Sequence, residues 1–106
     1  AHIARGVALE SLGPILTTPL VTRPDLEPRA EGSRIFGRVL WIDHFGNAIT
    51  TIRRATVEAA FGSLPPCVDA GSHRGLALVG CYAEAPDQIP VALWGSGDRL
   101  EIAIKH

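Results

Sequence analysis

The chain has 106 residues, enough for one domain with a modest hydrophobic core. Its formal net charge is −1, and its ten Lys and Arg residues are scattered, which argues against a basic patch for nucleic acid or an anionic membrane. No apolar run reaches the roughly 20 residues of a membrane-spanning helix, and the start lacks the pattern of a signal peptide. We therefore expect a soluble, cytoplasmic protein without a nucleic-acid or membrane partner.

The cysteines and histidines show no metal-binding pattern. Cys67 and Cys81 lie outside any CxxC motif, so two buried, reduced side chains are expected, with a disulfide as the alternative. The four histidines lack the spacing of metal ligands and are expected at the surface. No Gly-rich phosphate loop is present. The sequence therefore predicts neither a metal nor a cofactor.

The first third of the chain is predicted to lie outside the main domain. Residues 2–9 have helical spacing, and Gly13-Pro14 ends the pattern. Such a helix, starting without an N-cap, is typical of the tail of a preceding domain, which we assign to residues 1–16. Three prolines interrupt residues 17–33, which are predicted to form an extended linker with at most one short strand.

Short strands and Gly-rich turns dominate residues 34–106, which we assign to one domain. One short helix is predicted at residues 55–61, with Thr56 as the N-cap and Gly62 as the stop. Strands are predicted at residues 35–42 (interrupted at 37–38), 48–52, 67–69, 76–82, 91–94 and 100–104. This pattern predicts an all-β fold, a small Greek-key β-barrel whose closed sheet hides its edges and whose core includes Trp41 and Trp94.

The turn at residues 43–47 is the strongest candidate site. Asp43 can accept a hydrogen bond from an ammonium or a hydroxyl, and Phe45 offers a flat face for stacking. Asn47 carries a donor and an acceptor on one short arm, as needed to bind the edge of a purine. Gly46 permits a positive φ. A turn that only reverses the chain would require the glycine, with or without the asparagine, but not the acid and the ring.

The turn at Gly95-Ser96-Gly97 is a second candidate. The Ser96 hydroxyl and the neighbouring backbone amides could bind a carboxylate, because exposed N–H groups in such turns form an anion-binding concavity. The alternative is a hairpin in which these residues only supply the turn dihedrals.

Two separated motifs carry a resemblance to a known family. Residues 37–52, with Asp43-His44-Phe45-Gly46-Asn47 at their centre, and residues 95–104, beginning with Gly95-Ser96, resemble the S-adenosyl-L-methionine (SAM) hydroxide adenosyltransferases. These are SAM hydrolases related to the fluorinating and chlorinating enzymes of secondary metabolism. The resemblance covers residues 35–105 and corresponds to the family's C-terminal domain, while residues 1–16 resemble the last helix of its N-terminal domain.

The resemblance implies a homotrimer in which SAM lies between the N-terminal domain of one subunit and the C-terminal domain of its neighbour. Water attacks the 5′ carbon of SAM and yields adenosine and L-methionine, with no cofactor. By position, Phe45 would stack near the adenine, Asn47 would bind its edge, Asp43 would bind the methionine ammonium and Ser96 its carboxylate region. The family's water-activating residues have no counterpart here, so no catalytic residue is predicted in this chain, which alone is expected to be inactive.

Two further expectations concern the branch of the family and the alternative to an enzyme. Gly97 stands where the halogenating relatives carry an arginine, which favours the hydrolase branch, and nearby Arg99 lies in a predicted strand that points it elsewhere. The alternative to a hydrolase domain is a free-standing, non-catalytic β-barrel module for binding or assembly, since a fold does not dictate a function.

Overall fold

The computed structural model of the chain describes residues 1–63 and 67–106. These residues form eight β-strands and one α-helix. The elements are β1 (Arg29–Glu31), β2 (Arg34–Phe36), β3 (Val39–Ile42), β4 (Ala48–Arg53), α1 (Arg54–Phe61), β5 (Cys67–Ala70), β6 (His73–Val79), β7 (Pro90–Trp94) and β8 (Arg99–Ile104). The predicted break at residues 37–38 separates β2 from β3.

Six of these strands form one curled sheet, in the order β3-β4-β8-β7-β6-β5. Neighbouring strands are antiparallel except β6 and β7, which run parallel with Leu78 opposite Ala92. Strand β8 lies near the middle and pairs with both β4 and β7. The prediction of an all-β, barrel-like fold with one short helix is therefore confirmed.

The curled sheet is a half-barrel that is open between its two edge strands. In the described part of the chain, β3 and β5 pair with no further strand and remain the two edges of the sheet. Residues beside both edges, including Val39 and Val68, line one cavity of about 520 Å³. Leu100 and Ile102 of the central strand line the same cavity. The cavity therefore lies on the concave side of the sheet.

Helix α1 is anchored by the β7–β8 turn. Its predicted N-cap, Thr56, is wrong: the N-cap residue is Arg53, which makes no side-chain capping bond. The backbone N–H of Arg54 instead donates to the carbonyl of Asp98 at 3.1 Å, so a tertiary contact replaces the local cap. The predicted stop is confirmed, because Gly62 adopts a left-handed conformation with φ 68°.

The N-terminal segment contains no α-helix, contrary to the prediction for residues 2–9. Two 3₁₀ turns, Ile3–Arg5 and Leu9–Ser11, stand there instead, with Gly6 left-handed between them. Neither turn has a buried residue, so no packing offsets the cost of nucleating a longer helix. The linker contains the one short strand that was predicted, β1, which pairs with β2 in a two-stranded hairpin. No helix in the described residues is long and apolar enough to span a lipid bilayer.

The core consists of small aliphatic side chains and lacks the predicted aromatic residues. The buried apolar residues are Ile49, Val57, Leu76, Ala85, Val91, Ala92, Leu100 and Ala103. Trp41 is 52% exposed because it lies on the edge strand β3. Trp94 is half-buried, and its indole N–H has no hydrogen-bond partner in residues 1–63 and 67–106. Cys67 and Cys81 are exposed and unpaired, so their predicted burial is also wrong.

Candidate ligand-binding site

The turn between β3 and β4 is closed by its own backbone. The N–H of Asp43 donates to the carbonyl of Asn47 at 3.0 Å, and the N–H of Gly46 donates to the carbonyl of Asp43 at 3.1 Å. Gly46 has a φ of 91°, which a residue with a side chain rarely adopts. The sequence prediction of a tight turn at residues 43–47 is confirmed.

The carboxylate of Asp43 braces this turn. Its Oδ1 accepts hydrogen bonds from the backbone N–H groups of Phe45 and Asn47, both at 2.9 Å. Its Oδ2 accepts one from Nδ2 of Asn47 at 3.1 Å. The expectation that chain reversal alone would not require the acid is therefore wrong. Oδ2 retains acceptor capacity, so Asp43 can brace the turn and still bind one donor of a ligand.

Hydrogen bonding keeps the Asp43 carboxylate ionised. Partial burial raises its pKa, but the bonds donated by the Asn47 backbone, the Phe45 backbone and the Asn47 side chain together outweigh it. The neighbouring His44 acts in the same direction as these bonds. The net result is a pKa below the ordinary value of an aspartate, so the turn carries a negative charge at neutral pH.

Asn47 and Phe45 retain the groups that a nucleoside would require. Asn47 is half-buried and commits one of its two side-chain N–H groups to Asp43. Its other N–H and its Oδ1 remain as a donor and acceptor pair. Phe45 is 71% exposed and contacts His44, with ring centroids 3.7 Å apart and planes tilted by 42°. The ring therefore plays no part in the core and can receive a planar group.

Ser96 lies in the hairpin turn between β7 and β8 and is exposed. This turn is closed by hydrogen bonds from the Asp98 N–H to the Gly95 carbonyl at 3.0 Å and from the Gly95 N–H to the Arg99 carbonyl at 2.9 Å. Asp98 has a φ of 57°, an uncommon conformation for a residue other than glycine. The hydroxyl and the turn are open to solvent, as anion binding would require.

The two candidate turns are not direct neighbours in the sheet. Ala48, next to the first turn, lies opposite Ile102, whereas Arg53, at the other end of β4, lies opposite Arg99 beside the second turn. The structure therefore places the Asp43 turn and the Ser96 turn at opposite ends of the β4–β8 pair. It brings Asp43, Phe45 and Asn47 together and leaves Ser96 apart.

Glu101 lies between the two turns, and the sequence analysis did not identify it. It stands opposite Ile49 of β4 and Leu93 of β7. Its carboxylate occupies the space that a Cβ atom on Gly95 would fill. Burial raises the pKa of Glu101, and the negative charge of Asp43 raises it further. The available signal was a carboxylate within an otherwise apolar strand.

The guanidinium of Arg99 is bound to β4 through one of its nitrogens. Its Nη1 donates to the carbonyls of Thr50 and Thr51, at 3.3 and 3.2 Å, where the β4–β8 register shifts. This agrees with the prediction that its strand position directs it away from the turn. No cluster of three or more His, Cys, Asp or Glu residues that could hold a metal ion occurs in the described segments.

Comparisons with known proteins place these features in a family. The SAM hydroxide adenosyltransferase C-terminal domain family matches residues 37–106, which include both candidate turns. The (R)-S-adenosyl-L-methionine hydrolase of Thermus thermophilus is 38% identical over 106 residues. That alignment covers all of this chain but 37% of the relative, so the chain spans little more than a third of the relative's length.

A solved structure has the same fold. The crystal structure of an uncharacterized conserved protein from Thermotoga maritima superposes with a TM-score of 0.70 and 22% sequence identity. The superposition covers 97% of this chain and 40% of that protein. At this identity the likeness concerns the fold alone. From the match over residues 37–106 and the 38% identity to the hydrolase, the chain belongs to the SAM hydroxide adenosyltransferase family and carries its C-terminal domain.

Proposed function

We propose that this chain is the substrate-binding, C-terminal part of a SAM hydrolase that converts SAM and water into adenosine and L-methionine. The observation that carries the proposal is the turn at residues 43–47. It combines an ionised carboxylate, an exposed ring and an uncommitted donor and acceptor pair. The named activity of the 38% identical relative supports the same reaction.

Each residue of the proposed site meets one part of SAM. Phe45 stacks on the adenine, and the free N–H and Oδ1 of Asn47 bind its edge. The open lone pair of Asp43 Oδ2 accepts from the methionine ammonium. Ser96 and its turn bind the carboxylate region. Because the two turns lie at opposite ends of the β4–β8 pair, the bound SAM must extend from one turn to the other.

In the proposed reaction this chain binds and orients, while the N-terminal domain supplies the groups that activate water. The water oxygen bonds to the 5′ carbon, the bond from that carbon to sulfur breaks, and its electron pair leaves with methionine. The water loses one proton. An in-line displacement requires the adenosine part to be fixed relative to the water, which is the task of Phe45 and Asn47. The commitment of Arg99 to Thr50 and Thr51 supports water over halide, since no arginine replaces the one absent at Gly97.

We further propose that the site is completed by the N-terminal domain of a neighbouring subunit in a cytoplasmic homotrimer. The edge strand β3 and the adjoining turn expose several large apolar side chains. These are Val39 (53% exposed), Trp41 (52%), Ile42 (60%) and Phe45 (71%). Exposed large apolar side chains along an edge strand are typical of an interface, which supports coverage by a second domain.

The activity is tested by incubating the full-length protein with SAM and separating the products by chromatography. Adenosine and L-methionine should appear in equal amounts, and added chloride or fluoride should produce no halogenated nucleoside. If SAM stays intact while the protein binds a short RNA with a steep salt dependence, the non-catalytic binding module replaces the hydrolase.

Completion of the site between subunits is tested by mixing two inactive variants. One carries Asn47→Ala with Phe45→Ala, and the other is inactivated by a substitution in the N-terminal domain. Reassembled mixtures should regain part of the activity, because mixed oligomers contain some sites with two intact halves. Activity that stays absent after verified subunit exchange would show that each subunit forms its own site. The mass of the assembly, measured by sedimentation, tests the trimer.

A further inference from the structure

Glu101 carries a charge that the pairing of its strand does not require. It lies on the central strand β8 and is half-buried between Ile49 and Leu93, its partners on the two neighbouring strands. It accepts no hydrogen bond and forms no ion pair with any residue in the described part of the chain. An apolar residue at this position would avoid the cost of partial burial of a charge.

Gly95 provides the space for this carboxylate. A Cβ atom at residue 95 would overlap the carboxylate of Glu101, so only glycine admits the observed side-chain position. The φ of Gly95 is not positive, so backbone conformation does not explain this glycine. The carboxylate is thereby held against the residue that precedes Ser96.

Glu101 also shares a sheet face with Asp43. Trp41 lies opposite Ile49, and Ile49 lies opposite Glu101, which places these three side chains on one face. Asp43 follows β3 directly and extends its pairing with β4, because its N–H donates to the carbonyl of Asn47 at 3.0 Å; two residues after Trp41, it therefore lies on the same side. Burial raises the pKa of Glu101, and the negative charge of Asp43 raises it further. Two negative charges thus act on one ligand face.

The charge of the ligand changes during the proposed reaction. SAM carries a sulfonium, an ammonium and a carboxylate, with a net charge of about +1, whereas adenosine is neutral and L-methionine is a neutral zwitterion. We propose that Glu101 is a specificity-determining residue of this site, whose carboxylate, seated against Gly95 on the face of Asp43, favours the cationic substrate over the neutral products. This inference rests on the proposed function. Its consequence is selective binding of SAM and easier release of both products.

Glu101→Gln in the full-length protein tests the inference, because glutamine keeps the shape and removes the charge. Two stable analogues serve as probes in calorimetry. Sinefungin carries a protonated amine in place of the sulfonium, and S-adenosylhomocysteine carries a neutral thioether. The variant should bind sinefungin about 3- to 10-fold more weakly and S-adenosylhomocysteine within about twofold of the unaltered protein. Added salt should weaken sinefungin binding less in the variant.

Two control variants separate charge from shape and position. Glu10→Gln removes the same charge from the exposed N-terminal segment and should change neither affinity. Glu101→Asp keeps the charge and should keep most of the preference for sinefungin. Equal weakening of both analogues in Glu101→Gln, or unchanged binding of both, would overturn the inference. If the unaltered protein binds neither analogue, the proposed function fails first and this inference fails with it.

Discussion

Asn47 donates two hydrogen bonds to the carboxylate of Asp43, one from its backbone N–H at 2.9 Å and one from its side chain at 3.1 Å. The residue expected to bind the adenine edge is therefore also tied to the residue expected to bind the ammonium. This coupling means that the experiments must separate loss of the turn from loss of ligand contacts. Variants of Asn47 and Phe45 therefore require both a stability and an affinity measurement.

Asp43 should make the stability of the domain depend on pH in the acid range. Its native pKa lies below the ordinary value, so the unfolded chain binds the proton more readily. The stabilisation is therefore fully present above the unfolded pKa and is lost as the pH falls through the native pKa. Thermal unfolding should show Asp43→Asn to be less stable than the unaltered protein near neutral pH, with the difference vanishing in acid. Parallel curves for the two proteins would contradict this account.

Asn47→Ala in the full-length protein should weaken adenosine binding by about 1 to 3 kcal/mol, since a buried purine edge would lose its partners. The backbone N–H at residue 47 remains and still donates to Asp43, so the turn keeps most of its bracing. Calorimetry with adenosine gives the affinity, and thermal unfolding reports the state of the turn. An unchanged affinity would mean that Asn47 serves the turn alone.

Phe45→Ala offers a cleaner test, because the ring is 71% exposed. Removal of an exposed side chain should alter the free energy of unfolding by no more than about 0.5 kcal/mol. Adenosine affinity should fall by about 1 to 3 kcal/mol if the ring stacks on the base. Phe45→Tyr keeps the ring and should bind adenosine as the unaltered protein does. Equal affinities for the alanine and tyrosine variants would rule out stacking.

Gly95→Ala should displace the Glu101 carboxylate at little cost in stability, because that carboxylate is the far end of a flexible side chain and accepts no hydrogen bond from the described residues. The free energy of unfolding should change by no more than about 0.5 kcal/mol. In the full-length protein, sinefungin should bind more weakly, since the carboxylate leaves its position against residue 95. Denaturant unfolding gives the stability, and calorimetry gives the affinity. A large loss of stability would show that the Glu101 carboxylate cannot move aside.

Local structure followed closely from the sequence wherever it depends on neighbouring residues. Alternation of apolar and polar residues predicted β8, apolar and β-branched residues next to turns predicted β4 and β7, and Gly62 ended the helix as expected. The turn at residues 43–47 could be predicted because Gly46 and Asn47 favour its backbone geometry. Predictions that assumed a covering layer were wrong, including the burial of Trp41, since its strand is an edge of an open sheet.

The sequence by itself determined the succession of strands, the two turns and the family motifs, because each depends on residues close together in the chain. Only the tertiary structure decided that Arg99 faces β4. It also decided that Ser96 lies at the far end of the β4–β8 pair and that Glu101 fits against Gly95. The physical reason is that strand pairing and register determine which distant residues share a face, and neither is encoded in any short stretch of sequence.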